Sequence, residues 1–319
     1  NGNGLRTLHR STLLEALSQE LPVDTIRFSS KLRSIRTLTH EDSSIAVLSL
    51  EDGTIIKTKV LIGCDGVHSV VAKWLGLATP VHSGRSAVRG LSVFPQGHGL
   101  KHEVQQFVYG GIKAGFVPLN DKELYCFVTY KSTPNKDENM TSPELIQKSI
   151  LEKVANFPTL FLDVFQHCDL HTITWGPLML RVPWDLIYKN MNTENITVAG
   201  DAMHPMTPDL GQGGCAALED AVVLGRHIGN CFGHNGKFVR DALKGYVEER
   251  RWRVAGVITA SYFSGWVQQE PSTWYMKFLR DKVFYKYFFR FVANIVNYNC
   301  GKLSSVSLST EADNMKKLR

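Results

Sequence analysis

The part of the chain that most constrains its fold is the segment VAGDAMHPMTPDLGQGGCAALEDA at residues 198–221. Strand-forming residues at 195–199 lead into Gly200 and Asp201, and a turn rich in proline and glycine precedes a helix-like run at 215–228. In open α/β sheets, ligands bind beyond the carboxyl ends of the strands, where an acid can hold ribose or ribitol hydroxyls. Glycines ahead of a helix let backbone N–H groups approach a ligand, and the helix N-terminus favours negative charge. The segment therefore predicts a cradle for a mononucleotide or a flavin.

Two further segments support this prediction. Residues 59–76, KVLIGCDGVHSVVAKWLG, form an apolar strand that ends in Asp65-Gly66, followed by Ser69 as the N-cap of a short helix. Near the start of the chain, HRSTLLEAL at residues 9–17 predicts a helix with leucines along one face. Arg10 lies near the start of that helix, where a guanidinium can bind a phosphate through two hydrogen bonds.

Together, the three segments resemble the FAD-dependent monooxygenases of the aromatic-hydroxylase class, also called group A. The segments GDAMHPMTPDLGQGGCAALEDAVVL and YVEERRWRV are similar to those of plant salicylate-hydroxylase-like members of that class. The resemblance implies an α/β fold with a Rossmann-like FAD/NAD(P)-binding domain, an inserted and mainly β substrate domain, and a C-terminal helical region.

The resemblance also implies a role for each matching residue. Arg10 would contact the ribose–phosphate region of FAD, and Asp65 and Gly66 would help hold the diphosphate beside the path of the nicotinamide cofactor. Asp201 would bind the ribitol of the flavin. Backbone groups along the isoalloxazine ring would come from Pro208, Gly211, Gln212, Gly213 and Gly214. No catalytic side chain is assigned, and no metal site is expected.

Strand and helix patterns predict the domain organisation. We expect a discontinuous FAD-binding domain at residues 1–78 and 193–235, a substrate domain with a central sheet at 79–192, and C-terminal helices at 236–319. The class normally opens with a strand, G-x-G-x-x-G and a helix, a unit of about 30 residues. This chain begins at Asn1 without that unit, so the FAD-binding domain is expected to be incomplete at its N-terminus.

The function implied is that of a monooxygenase dependent on FAD and on NADPH or NADH. Such an enzyme inserts one oxygen atom from O2 into a small aromatic or apolar substrate, through a peroxide formed on the flavin. A flavin reductase or halogenase on the same fold is a second hypothesis, although the halogenase motif W-x-W-x-I-P is absent from the sequence. A third hypothesis is a degenerate flavin-fold binding protein, or a fragment without turnover.

Composition narrows the choice of partners and compartment. The net charge of +6 is scattered along 319 residues, which disfavours a nucleic-acid partner. Six widely spaced cysteines without a C-x-x-C motif indicate free thiols in a reducing intracellular compartment, either cytoplasm or plastid. The aromatic run within residues 283–298 predicts a helix packed on the FAD-binding domain, or else a weak contact with a membrane surface. Oligomeric state is left open.

Several local elements are also predicted. Runs at 45–50 and 54–59 flank Glu51-Asp52-Gly53 as a hairpin, and a helix is expected to open near Ser142-Pro143. A helical pattern begins at Phe238. His204 is expected to be structural rather than catalytic. Four aromatic residues are expected in the sheet core rather than in a substrate wall: Phe107, Tyr109, Phe116 and Tyr125.

Overall fold

The computed structural model describes residues 7–40, 43–132, 142–232, 239–269, 278, 282 and 298–303. Its helices are α1 (Arg10–Gln19), α2 (Val70–Trp74), α3 (Pro143–Lys153), α4 (Thr159–Gln166), α5 (Pro183–Tyr188), α6 (Gly213–Phe232) and α7 (Val239–Gln269). Its strands are β1 (Leu32–His40), β2 (Ser43–Leu50), β3 (Ile55–Thr58), β4 (Leu61–Gly63), β5 (Val81–Val93), β6 (Gln105–Tyr109), β7 (Ile112–Pro118), β8 (Glu123–Lys131), β9 (Thr174–Leu180) and β10 (Ile196–Val198).

The layer that carries the predicted cradle contains a parallel pair of strands. Strands β4 and β10 run side by side, with Ile196 opposite Leu61 and Val198 opposite Gly63. A Cβ added to Gly63 would lie 2.5 Å from Cβ of Val71, so this glycine lets α2 pack closely on β4. The antiparallel sheet β1-β2-β3 lies beside them and contains the expected hairpin.

The second layer is an antiparallel five-stranded sheet in the order β6-β7-β8-β5-β9. One face packs against α3 and α4 in a core that includes Phe116, Val128 and Phe161. Because side chains alternate along a strand, the opposite face carries Lys113 and Thr129, which pair across β7 and β8. We call this opposite face, which lies toward α7 and a 3-10 turn at Pro208–Leu210, the open face.

The aromatic residues of the sheet divide between its two faces. Phe116 is fully buried and Phe107 packs beside it, as expected. The expectation is wrong for Tyr109 and Tyr125, whose exposed fractions are 60% and 37%. Tyr125 lies between Leu124 and Cys126, whose side chains point into the core, and it pairs with Val117 on β7. Because side chains alternate along a strand, Tyr125 belongs to the open face.

The long helix α7 joins the two layers. α7 has 31 residues and a length of about 46 Å, and the predicted start of the helical pattern at Phe238 lies just outside the described residues. Tyr246, Val254 and Ile258 pack with Val198 in the core under β10. At its far end, Gln269 bonds to the backbone of Thr129 on β8. The two layers are therefore held by one continuous element.

The first helix departs from expectation in its packing. α1 has no buried residue, and the exposed fraction of Leu14 is 54%. Its contacts with the sheet are made at its start, where the Thr7 hydroxyl donates to Pro118 O at 2.6 Å and His9 Nε2 lies 3.0 Å from Glu123 Oε2. The leucine face is present, but it does not form part of either core.

Three other predictions concern cysteines, membranes and metals. The six cysteines all lie in the described ranges, and none of them forms a disulfide. In the described ranges, no helix is long and apolar enough to span a bilayer, and no group of His, Cys, Asp or Glu side chains could hold a metal ion. Almost all of the aromatic run within 283–298 lies outside the described residues, so its proposed contacts stay a prediction.

Candidate functional site

The site is built where the parallel strands end. Val198 is opposite Gly63, and the pairing continues as Ala199 N donates to Gly63 O at 2.9 Å. The chain then leaves β4 through Asp65 and leaves β10 through Gly200 and Asp201. Both acids therefore emerge at one edge of the layer, as the Asp-Gly and Gly-Asp segments predict.

The Asp65 carboxylate is engaged by the helix that follows it. Its Oδ1 accepts from Ser69 Oγ at 2.5 Å, and its Oδ2 accepts from the backbone N of Val70 at 2.7 Å. Ser69 is the N-cap of α2, as predicted, and accepts from Ala72 N. Gly66 follows with φ of +81°, and no heavy atom lies within 4 Å of the position that its Cβ would take. The role of this segment in holding FAD stays a prediction.

Asp201 lies in a 3-10 turn at Gly200–Ala202. Asp201 itself is exposed, whereas Ala202 and Met203 beneath it are fully buried. Gly200 has φ of +58°, and its N–H donates to Asp220 Oδ2 at 2.8 Å. The turn thus presents one carboxylate to solvent from a rigid base.

Asp220 organises a buried network below this turn. Its Oδ2 lies 2.5 Å from His204 Nε2, and its Oδ1 accepts from Arg250 Nε at 2.7 Å. Burial raises the pKa of Asp220, but His204, Arg250 and the Gly200 N–H outweigh burial and lower it below its ordinary value. His204 is fully buried, which supports its predicted structural role. Sequence patterns carried no signal for Arg250 as a partner, because it lies 30 residues away on another helix.

The glycine loop departs from expectation in one respect. Pro208 opens the 3-10 turn Pro208–Leu210, and Gly211 ends it in the left-handed conformation with φ of +63°. Gln212 follows, and α6 begins at Gly213 rather than after Gly214. The residue of this loop that has a positive φ is therefore Gly211, whereas Gly213 belongs to the helix. A Cβ on Gly213 would meet Met206 Cγ at 3.8 Å, an ordinary contact.

A buried ion cluster joins this turn to the open face of the sheet. Asp209 accepts two hydrogen bonds from Arg85 on β5, and Lys113 Nζ on β7 lies 4.0 Å from Asp209 Oδ1. Gln269 Oε1 accepts from Arg85 Nη1 at 3.0 Å. Burial lowers the pKa of Lys113, although Asp209 opposes this effect. Sequence reasoning missed the cluster because its members come from four separate elements.

Arg10 is placed apart from the other predicted residues. Arg10 is the first residue of α1, and its side chain is exposed. The preceding residue, His9, contacts Glu123 of β8. Among the described residues, no contact joins Arg10 to Asp65, Asp201 or the glycine loop. Its role toward the phosphate of a cofactor stays a prediction.

The residues at the strand edge fit the flavin half of FAD. A Cβ added to Gly66, Gly211 or Gly214 would meet nothing within 4 Å, so open space lies in front of this backbone. The N-terminus of α6 points its positive dipole end into the same region. Asp201 adds an exposed acceptor for hydroxyl groups.

Comparisons with known proteins agree with this geometry. A model of the family described as "FAD binding domain" matches residues 9–261. Monooxygenase 2 of Arabidopsis thaliana is 40% identical over 311 residues, which cover 93% of this chain and 75% of that protein. Monooxygenase 1 of the same organism is 33% identical, with coverage of 93% and 76%.

Solved structures show the same fold. HpxO from Klebsiella pneumoniae, complexed with FAD and uric acid, superimposes with a TM-score of 0.76 at 20% identity, covering 92% of this chain and 72% of that one. A salicylate hydroxylase in a substrate complex gives a TM-score of 0.67 at 18% identity, with coverage of 93% and 76%. The expected α/β fold with a Rossmann-like FAD domain is thereby confirmed. The chain belongs to the FAD binding domain family, in the class of FAD-dependent monooxygenases.

Proposed function

We propose that the protein hydroxylates a small aromatic or apolar substrate, with O2 as oxygen donor and NAD(P)H as reductant. One observation carries this proposal. The Asp201 turn, the Gly211–Gly214 loop and the start of α6 meet at one strand edge, and Asp209 joins that edge to the open face of the sheet. A flavin ring in this loop and a substrate against the open face would lie beside each other.

The residues of the chain would bind and orient the reactants. Asp201 would accept a hydrogen bond from the ribitol, and backbone groups at Pro208 and Gly211–Gly214 would line the ring. Tyr125 and Phe127, on the open face, offer aromatic surface to an apolar substrate. Bound FAD supplies the electron-transfer and oxygen chemistry. The positive end of α6 would stabilise negative charge on the ring.

The wider organisation is part of the proposal. We propose that residues 1–78 and 193–235 bind FAD, that 79–192 bind substrate, and that 236–319 form the helical region. The passage of the chain from α2 to β5 near Ala78 supports the first bound. The chain returns near Arg181, ahead of the proposed bound at 192, and Leu186 and Met191 already pack in the core under β10. The six cysteines, none of which is in a disulfide, support a reducing compartment within the cell.

Titration of the apoprotein with FAD tests the cofactor site. Asp201→Ala removes a hydrogen bond to a charged acceptor, worth about 1.5–3 kcal/mol. FAD affinity should fall roughly 10- to 150-fold. Asp241→Ala, at an exposed acid on α7, is the matched control and should bind FAD like the parent. An Asp201→Ala variant with unchanged affinity would rule out the cradle assignment.

Turnover separates the enzyme from a binding protein. Oxidation of NADPH and of NADH is followed by nicotinamide absorbance, together with O2 consumption, against a panel of small phenols, benzoates and apolar aromatics. The proposal expects a substrate that accelerates nicotinamide oxidation and yields a hydroxylated product by mass spectrometry. Saturation with FAD without acceleration by any member of the panel would favour the binding protein.

A further inference from the structure

Arg181 is a buried cation bound by backbone carbonyls. It follows β9 and its exposed fraction is 1%. Its Nε donates to Met203 O at 2.7 Å, its Nη2 donates to Ala202 O at 3.1 Å, and its Nη1 donates to Ala78 O. The guanidinium thus binds three carbonyl oxygens from two separate segments of the chain.

The segments that Arg181 joins are the ones that set the geometry of the site. Ala78 lies where the chain passes from α2 toward the five-stranded sheet, and Arg181 lies where it returns. Ala202 and Met203 directly follow Asp201. The backbone N of Arg181 also donates to Pro205 O at 3.0 Å, so side chain and main chain hold the same turn.

The charge of Arg181 makes this arrangement costly unless its geometry is needed. Burial lowers the pKa of Arg181, and the field of Asp185 only partly opposes that effect. Within the described part of the chain, all of its hydrogen-bond acceptors are carbonyl oxygens and none is a carboxylate. A buried cation without an acid beside it is disfavoured. A planar guanidinium nevertheless holds several acceptors in one rigid plane, a geometry that the single ammonium of lysine cannot reproduce.

We propose that Arg181 is a positioning residue of the cofactor site. Its guanidinium fixes the carbonyls of Ala202 and Met203, and thereby fixes the direction in which the preceding Asp201 carboxylate points. Arg181 also ties this turn to both passages between the layers, so Asp201 keeps its place relative to the sheet. The inference rests on the proposed role of Asp201 in binding the flavin ribitol.

A double-mutant cycle on FAD affinity tests the proposal in the full chain. The variants are Arg181→Lys, which keeps the charge but loses the planar fork, Asp201→Ala, and the two combined. The control is Arg251→Lys, because Arg251 donates to a single carbonyl, Ile187 O at 3.0 Å, outside the site. Each variant is assayed for its FAD dissociation constant, its thermal midpoint without FAD, and the visible circular dichroism of the bound flavin.

Arg181→Lys should weaken FAD binding about 10-fold, because a misdirected Asp201 carboxylate loses its charge-assisted hydrogen bond to the ribitol. If it acts through Asp201, the double variant should bind within about 2-fold of Asp201→Ala alone. The dichroism of flavin bound to Arg181→Lys should shift toward that of Asp201→Ala. Arg251→Lys should leave affinity and dichroism unchanged.

The opposite results have distinct meanings. Unchanged affinity in Asp201→Ala overturns the proposed cofactor site, and the inference with it. If Asp201→Ala weakens binding but Arg181→Lys does not, or the two effects multiply, only the inference is overturned. A purely structural Arg181 would lower the thermal midpoint while leaving affinity and dichroism like those of the parent.

Discussion

Arg85 and Asp209 form a two-point ion pair, with Nη1 2.9 Å from Oδ1 and Nη2 2.6 Å from Oδ2. Both side chains are almost fully buried. Arg85 belongs to β5 of the sheet, whereas Asp209 belongs to the turn before the glycine loop. The pair therefore binds the open face directly to the backbone that would line the flavin.

Removal of the Asp209 charge should be strongly destabilising. Asp209→Asn leaves the Arg85 guanidinium buried without its counter-charge, a change that typically costs about 3–5 kcal/mol. Urea unfolding followed by circular dichroism measures the loss. Asp52→Asn breaks the exposed pair with Arg27 and should produce no resolvable change. Equal effects in the two variants would contradict the buried ion cluster.

Lys113→Met should stabilise the protein at neutral pH. Burial lowers the folded-state pKa of Lys113, Asp209 raises it and Arg85 lowers it, with a net downward shift. Because the pKa of Lys113 is lower in the folded protein than in the unfolded chain, its positive charge disfavours folding at every pH below the folded-state pKa. This penalty disappears as pH rises toward the unfolded value of about 10.4.

The gain from Lys113→Met should therefore be largest near pH 7 and shrink as pH approaches about 10. Urea unfolding at both pH values measures it, with Lys57→Met on the exposed side of β3 as control. A Lys113→Met variant less stable than the parent at pH 7 would contradict the net cost of this charge.

Asp220→Asn should lose stability in a way that depends on pH. Burial raises the pKa of Asp220, but His204, Arg250 and the Gly200 N–H lower it by more than burial raises it. The pKa of Asp220 in the folded protein therefore lies below its value in the unfolded chain. The stabilisation is present above an unfolded pKa of about 3.9 and is lost as pH falls through the folded pKa.

The free energies of unfolding of parent and Asp220→Asn should therefore differ at pH 6 to 7 and converge below about pH 4. Chemical unfolding at a series of pH values measures this difference. Asp241→Asn, at the exposed acid on α7, provides the baseline. A constant difference across the series would show that the Asp220 charge is not the source of the stabilisation.

Gly211→Ala should cost more than Gly213→Ala. Gly211 has φ of +63°, a conformation that costs a non-glycine residue about 1–2 kcal/mol. Gly213 begins α6 and has room for a methyl group. Thermal unfolding of the two variants compares the costs directly. A larger loss in Gly213→Ala would contradict the left-handed assignment.

The local parts of the site could be predicted from the sequence because short-range rules determine them. An apolar run followed by Asp65-Gly66, or by Gly200-Asp201, predicts a strand end, and Ser69 occupies the cap position that its place before a helix indicates. The hairpin after β2 follows from Glu51-Asp52-Gly53 in the same way. Such features depend on a few neighbouring residues.

The parts that could not be predicted depend on contacts distant in sequence. Arg85 and Asp209 are 124 residues apart, and Asp220 and Arg250 come from different helices. Arg181 donates to backbone carbonyl groups. Every residue has such a group, so the sequence cannot indicate which of them Arg181 binds. The spacing of the leucines in α1 predicts a helix, but it does not predict whether they are buried. In the structure, none of the residues of α1 is buried in either core.

The length of α7 has a consequence for how this chain can vary. Tyr246 is anchored under β10 and Gln269 is anchored at β8, with an uninterrupted helix between them. Deleting one residue between those anchors would turn Gln269 by about 100° and draw it back about 1.5 Å. Insertions and deletions are therefore tolerated far less in this helix than in the surface turns. Substitutions on the open face, where we propose that the substrate binds, leave the number of residues in this helix unchanged.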